Sequence, residues 1–388
     1  MVKPVGDLTS AILAGLWEVP LFDVHSHFCN QESPVRGVDE YIAGWTQPET
    51  PGKVGPSEVR DWRISRWPMK KSMWIGRAFP VALQELYGSD DQTVVHTKMN
   101  QVREDGLVAS LEWMRERSKV DCLVVDSNPD LAAKLPWVLS TYRLDAGKIT
   151  RTQGDLASRI DGIEKSIDGM VQAGRVHCLK VPMAYDRSLE IGDVGAEKAS
   201  QIVAKEPKHR TALEAKDAED HVYRHFFKKA GEWSIPVEIH TGFGWWIGKR
   251  PLRLSEADPD NLLTILEDAE MESTKFILFH GGYPFLSKTA YLATSFSNVY
   301  LDFTCLCQES WSMLKAALHE WIDVVPMDRI VTGSDGTYEW LYFAAKFNRE
   351  CLARVLAEKA VREFMDVDLA LEVGRRILRE NALAIFQR

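Results

Sequence analysis

The 388-residue sequence has no apolar run long enough to span a bilayer, so it does not read as an integral membrane protein. Its opening stretch, Met-Val-Lys-Pro-Val-Gly-Asp, lacks the pattern of a secretory signal. Cysteine is sparse: the six residues at 29, 122, 178, 305, 307 and 351 are scattered, mostly in apolar surroundings. That excludes a disulfide framework at this size and suits reduced thiols in a cytoplasmic protein. Basic charge is not in excess, and the net charge of −9 argues against an extended nucleic-acid surface. There is no short repeat, no low-complexity tract and no obvious interdomain linker. What remains is an ordinary globular composition, 45% hydrophobic and 27% charged, ample for one large barrel or two average domains.

The first structured signal is Leu21 to His27, a short apolar run ending in two histidines spaced i, i+2. Alternate strand residues share a face, so both imidazoles leave the strand on one side and could chelate a metal such as zinc. From Cys29 to about Ser118 no strand is legible. Tryptophans 45, 62, 67 and 74 punctuate helical pieces there, which reads as a helical insertion over the end of the first strand. These aromatics suit the insertion's own core better than a lid; the lid reading would make Arg63, Arg66 and Arg77 available to an anionic substrate.

A regular alternation follows. Strand-like segments occur at Val120 to Asp126, Thr141 to Leu144, Val176 to Met183, Ile235 to His240, Phe276 to His280, Asn298 to Phe303 and Arg329 to Asp335. Helical or charged stretches lie between most of them, including Leu156 to Ala173, Asn261 to Glu272 and Trp311 to Val325. Ala196 to Lys229 reads as one elongated helical region, and closing helices are expected at Tyr338 to Glu358 and Leu369 to Phe386. With the opening segment this makes eight βα units, hence an α/β fold, a (β/α)8 TIM barrel, as a single domain over 1–388 with an insertion over 29–118.

The unusual polar residues fall at the C-terminal ends of these strands: His25, His27, Lys180, His240, His280 and Asp335. In a parallel barrel those ends converge on one mouth. Several imidazoles and a carboxylate there form a plausible first shell for zinc, manganese or iron. Glu238, two before His240, either orients a ligand imidazole or forms a core ion pair; both readings carry equal weight.

Asp23 to His27, the later His240 to Gly244 and His280 to Pro284, and Gly333 to Gly336 together resemble the amidohydrolase superfamily, in particular its uronate isomerase-like and nodulin/FluG-type branch. The resemblance implies a metal-dependent barrel enzyme of hydrolase type. It implies His25 and His27 as ligands from strand 1, His240 and potentially His280 from strands 5 and 6, and Asp335 as ligand and proton shuttle. Hydrolysis of a C–N or C–O bond in an amide, lactone or related small molecule by a metal-activated water is the leading expectation. Uronate isomerisation or decarboxylation of an aromatic acid on the same barrel is the alternative. One divalent ion is expected, zinc ahead of manganese or iron, and two if Lys180 is carboxylated; otherwise Lys180 pairs with Glu238 or contacts substrate. Arg143, Tyr185 and Arg187 are candidates for holding a substrate carboxylate, with surface pairing the alternative for the arginines. Cys305 and Cys307 suit core packing better than ligation, and Cys29 suits a pocket wall. A small-molecule partner is expected, with no nucleic acid and no membrane, and a homo-oligomer is compatible.

Overall fold

A computed structural model describes residues 5–28, 34–46, 56–244, 252–362 and 365–387; Cys29 lies outside them. Helix α1 (Val5–Trp17) leads into the first of eight parallel strands: β1 (Leu21–Ser26), β2 (Val120–Val125), β3 (Val138–Arg143), β4 (Cys178–Val181), β5 (Val237–His240), β6 (Phe276–Phe279), β7 (Val299–Asp302) and β8 (Ile330–Val331). They lie side by side in sequence order. The two ends of the sheet meet: Val24 N donates to Thr332 O (3.1 Å), and Asp335 N donates to His25 O (2.8 Å). The fold is a (β/α)8 barrel.

Alternation along the strands divides their apolar residues between two cores. Phe22, Val24, Cys122, Val124, Leu139, Cys178, Ile277, Phe279 and Val331 fill the barrel interior. Leu123, Leu179, Val237, Ile239, Leu278 and Leu301 face the surrounding helices. The C-terminal helix Asn381–Phe386 plugs one end, with the Phe386 ring 5.3 Å from Phe22. The polar strand ends open at the other.

Strand β1 shifts register against β2 twice, between Leu21 and Phe22 and again between Asp23 and Ser26. Phe22 pairs with Cys122 and Asp23 with Leu123, but Ser26 pairs with Val125, so β1 carries one extra residue. Val24 and His25 therefore both turn inward, and a bulge of this kind re-aims a side chain at the rim of a barrel.

Between β1 and β2 the described residues form α2 (Val38–Gly44), α3 (Pro56–Lys70), α4 (Trp74–Tyr87), α5 (Gln92–Glu104) and α6 (Leu107–Ser118). Their aromatics pack partly on one another, Tyr41 on Phe79 and Tyr87 on Trp113, and partly on the barrel's helices. Trp45 and Phe79 pack on Trp340 of the helix Glu339–Arg362 (5.1 and 4.2 Å), and Trp74 packs on Trp311 and donates to Cys307 O.

Some expected boundaries shift. The third strand starts earlier, at Val138. Ala196 to Lys229 is two helices, Ala196–Ala204 and Ala212–Glu232, interrupted by a turn at Pro207. Asn261 to Glu272 is not one helix but three short turns, because Asp258 and Asp268 each cap a new start.

Arg349 ties the opposite end of the barrel together. It is fully buried and donates to the carbonyls of Leu16, Val19, Ser118, Lys119 and Ala345 at 3.0 to 3.4 Å. The first four acceptors end α1 and α6 and precede β1 and β2, and Ala345 lies one turn back in the helix Glu339–Arg362 that carries Arg349. Removing the guanidinium strands several buried acceptors at once. Arg349→Met is therefore expected to cost about 3 kcal/mol or more, seen as a lower urea midpoint; an unchanged midpoint would contradict the role assigned to this side chain.

Candidate metal centre

The bulge brings His25 beside His27, their Nε2 atoms 3.2 Å apart. Asp335, at φ +48 on the loop after β8, meets both: its Oδ1 is 3.2 Å from His25 Nε2 and 2.9 Å from His27 Nε2. The outer nitrogens face acids. His25 Nδ1 lies 3.3 Å from Glu238 Oε2, and His27 Nδ1 lies 3.8 Å from Asp126 Oδ2. Placing each imidazole proton on that side, by inference from the partners, leaves two Nε2 lone pairs and a carboxylate oxygen pointing into one small space.

A second pair repeats the logic. His240 Nε2 faces Phe243 O at 3.1 Å and His280 Nδ1 faces Thr304 O at 3.2 Å. Satisfying both carbonyls leaves His240 Nδ1 and His280 Nε2 facing each other at 3.0 Å as bare lone pairs. Burial pushes His240 well below the ordinary histidine range and His280 down to about 4, so both rings stay neutral near pH 7.

The charges around the first pair are out of balance without a cation. Burial and Lys180 press the His25 pKa down, yet Asp335 and Glu238 outweigh them and lift it to about 9. Burial likewise works against an ionised Asp335, but in the absence of a cation the neighbouring His25 and His27 rings, acting as protonated partners, hold it well below the usual carboxylate range. Both oxygens of fully buried Glu238 lack an aligned hydrogen-bond donor. Two imidazole nitrogens and an ionised carboxylate converging this closely are what a divalent cation would satisfy, so the residues present fit one.

Lys180 and Glu238 are in register across β4 and β5, but the expected ion pair does not form. The Lys180 Nζ sits 3.7 Å above the Phe279 ring, and burial lowers its pKa. Arg143 lines the cleft with its guanidinium 2.6 Å from Asp126, and Tyr185 stacks 4.4 Å from His240. Arg187 does not line the cleft: Asp220 (2.5 Å) and Glu219 (3.5 Å), both on the helix Ala212–Glu232, hold its guanidinium. The cleft encloses about 380 Å³, and Gly44, Trp45 and Arg63 of the insertion join the wall. Sequence reasoning undervalued Cys305. Cys307 is a core residue as expected, but Cys305 donates its thiol to Asp335 Oδ2 at 2.8 Å.

Fold and site together define a barrel enzyme with a histidine and carboxylate centre at its strand ends. Residues 163–388, more than half of the chain, match the amidohydrolase family, and the chain belongs to that family. It is an enzyme of the amidohydrolase superfamily. Protein fluG of Emericella nidulans is 25% identical over 155 residues, 39% of this chain and 17% of that protein; the chain therefore spans only a small part of that relative. Among solved structures, the fold is similar to a metal-dependent hydrolase from Lactobacillus casei ATCC 334 (TM-score 0.78, 18% identity, 97% of each chain covered). It is also similar to uronate isomerase from Thermotoga maritima (0.73, 14%, 98% of this chain and 97% of that one). Glucuronate isomerase from Caulobacter crescentus is comparable (0.71, 13%, 99% and 94%). Among the described residues no helix is long and apolar enough to cross a membrane.

Gly333 decides whether the histidine pair and Asp335 can meet. A Cβ there would lie 2.6 Å from Thr304 Oγ1, 2.9 Å from the His25 backbone nitrogen and 3.0 Å from Asp23 Oδ1. Gly333→Ala must push β1 and β8 apart, so it should lose about 1–3 kcal/mol of stability and bind zinc more weakly. Denaturant unfolding and a zinc titration of the same variant check both; wild-type values in each would show that the seam tolerates the methyl.

Proposed function

We propose that this chain is a metal-dependent hydrolase that cleaves a C–N or C–O bond in a small, carboxylate-bearing amide, lactone or related molecule. The observation that carries the reading is the convergence of His25 Nε2, His27 Nε2 and Asp335 Oδ1 on one point. In this reading these three residues hold one divalent ion, zinc by its nitrogen and oxygen donors and otherwise manganese or iron, with His240 and His280 beside it. Such an ion supplies Lewis acidity, polarising a substrate carbonyl and making water acidic enough to attack at neutral pH.

The chain's own groups do the rest. Glu238 keeps the His25 Nδ1 proton in place and so turns the Nε2 lone pair inward. Asp335 Oδ2, the oxygen turned away from the histidine pair, takes a proton from the attacking water and returns it to the leaving nitrogen or oxygen. Arg63, Arg143 and Lys180 give the cleft a cationic wall suited to a carboxylate, and Tyr185 flanks it. Lys180 acts unmodified, held over Phe279, so one ion suffices. The 29–118 segment covers the mouth, a reading supported by Gly44, Trp45 and Arg63 in the wall. None of the described cysteines forms a disulfide, which supports a cytoplasmic setting.

The cationic wall and the likeness to uronate isomerases favour one other reading, isomerisation of a uronate on the same centre. A panel of carboxylate-bearing amides and lactones run beside uronates separates the two. Hydrolysis is expected, and conversion of uronates alone would replace the first reading by the second. His25→Ala with His27→Ala should abolish bound metal and activity while the barrel stays folded; full metal stoichiometry in that protein would sink both readings. Asp335→Asn, loaded with metal, should lower kcat by roughly a hundredfold or more, and near wild-type turnover would remove Asp335 from proton transfer.

A further inference from the structure

Beside the histidine pair lies a second set of donors with a different chemistry. An imidazole nitrogen of His280, Cys305 Sγ and a carboxylate oxygen of Asp335 lie within 4.8 Å of one another, as His25, His27 and Asp335 do. His280 and Cys305 are 4% and 1% exposed. The two sets share Asp335 and divide its oxygens, Oδ1 toward His25 and His27, Oδ2 toward the Cys305 thiol at 2.8 Å.

Two observations separate this cluster from a buried cysteine that happens to touch an acid. The first is the His240–His280 contact, in which His240 Nδ1 and His280 Nε2 approach to 3.0 Å while the other nitrogen of each ring faces a carbonyl, Phe243 O and Thr304 O. With each imidazole proton placed on its carbonyl, the facing nitrogens turn lone pairs toward each other, a contact that a cation would relieve. The second is the backbone. His280, Cys305 and Asp335 have φ of +63, +70 and +48, three of the eight non-glycine residues in the left-handed region among those described. A non-glycine residue held there is costly, and such residues gather at functional sites.

The geometry points to a second cation site formed by His280, Cys305 and Asp335, selective for thiophilic divalent ions and inhibitory when filled. A thiolate prefers soft and borderline cations such as cadmium and zinc over magnesium or manganese. As the sulfur–cation bond forms, the thiol proton is released to solvent. The filled site engages Asp335 Oδ2, the atom assigned above to carry the proton, so turnover stops; this consequence rests on the hydrolase reading, whereas the binding site does not.

The test is a cadmium titration of the zinc-loaded enzyme, following the ultraviolet sulfur-to-cadmium charge-transfer band, the metal stoichiometry and turnover together. One further equivalent should bind with appearance of the band, and turnover should fall in step. Cys305→Ser keeps a hydroxyl to donate to Asp335 but removes the soft donor. It should lose the band and bind that equivalent roughly tenfold or more weakly, at the least the loss seen when partners of a metal site are removed. Its first equivalent of zinc should still bind, which shows that the variant is folded. The His25→Ala, His27→Ala protein should keep the band, so failure of the first site is not failure of the second. Absence of the band in wild type, or an unchanged affinity for that equivalent in Cys305→Ser, would reduce Cys305 to a hydrogen-bond donor and overturn the site. Turnover that rises with the band would overturn its inhibitory role.

Discussion

The centre depends on one extra residue in β1. Without the bulge between Asp23 and Ser26, His25 would share the helix-facing side with Asp23 and Leu21, and only a reorganised strand could present it to the mouth. Asp23 pins the irregularity: its Oδ1 accepts from His25 N at 3.1 Å and from Ser334 N at 3.0 Å, bridging β1 to the loop after β8. Gly333 lets the two strands approach closely enough for that bridge. The cost is a carboxyl buried so deeply that desolvation raises its pKa to about 7. Asp302 uses the same device at β7, where its Oδ1 accepts from Thr304 N and Oγ1 under the same burial. Each aspartate fixes the residue two positions on, and so sets how the chain leaves the strand.

This explains what the sequence made legible and what it did not. Strand ends were readable because a buried parallel strand is a continuous apolar run, and a histidine or aspartate at its end stands out against it. The eight strands, His25, His27, His240, His280 and Asp335 all followed from that contrast. The bulge was not readable, since His25 and His27 keep their i, i+2 relation whether or not the register slips before them. The placement of Arg187 was not readable for a related reason: proximity to a strand end in sequence says nothing about a carboxylate on a distant helix, here Asp220, that captures it. Cys305 was hidden by its apolar neighbours. Only the left-handed backbone turn at that residue aims its sulfur at Asp335, and no composition rule announces such a turn at a cysteine.

The insertion is bound to the same loop that carries Asp335. Arg103 of α5 makes a two-pronged ion pair with Glu339 (2.7 and 2.6 Å), and Tyr87 of α4 donates to the same carboxylate at 2.6 Å. Glu339 is only 1% exposed, and Arg103 also lies 4.2 Å over the Tyr338 ring. A buried pair of this quality contributes modest net stability, because desolvation offsets most of the attraction, but it fixes register strongly. Here the register is that of Gly333 to Glu339, whose Asp335 and Tyr338 both hold left-handed backbone angles.

Taken with the bulge, this makes Asp335 a residue positioned from two sides. Asp23 and Gly333 set its distance from the histidines; Arg103 and Tyr87 hold the helix that follows it. Insertion and barrel therefore cannot vary independently, because a shift of α5 would be transmitted through Glu339 into the loop before it. Loops at the mouth of this fold usually tolerate change without disturbing the strands that carry chemistry. In this chain the first such segment reaches across to the last one and clamps it, so selection for a new cleft wall would act on the Asp335 loop as well. The insertion and the loop that places Asp335 are joined here by a single buried guanidinium–carboxylate pair.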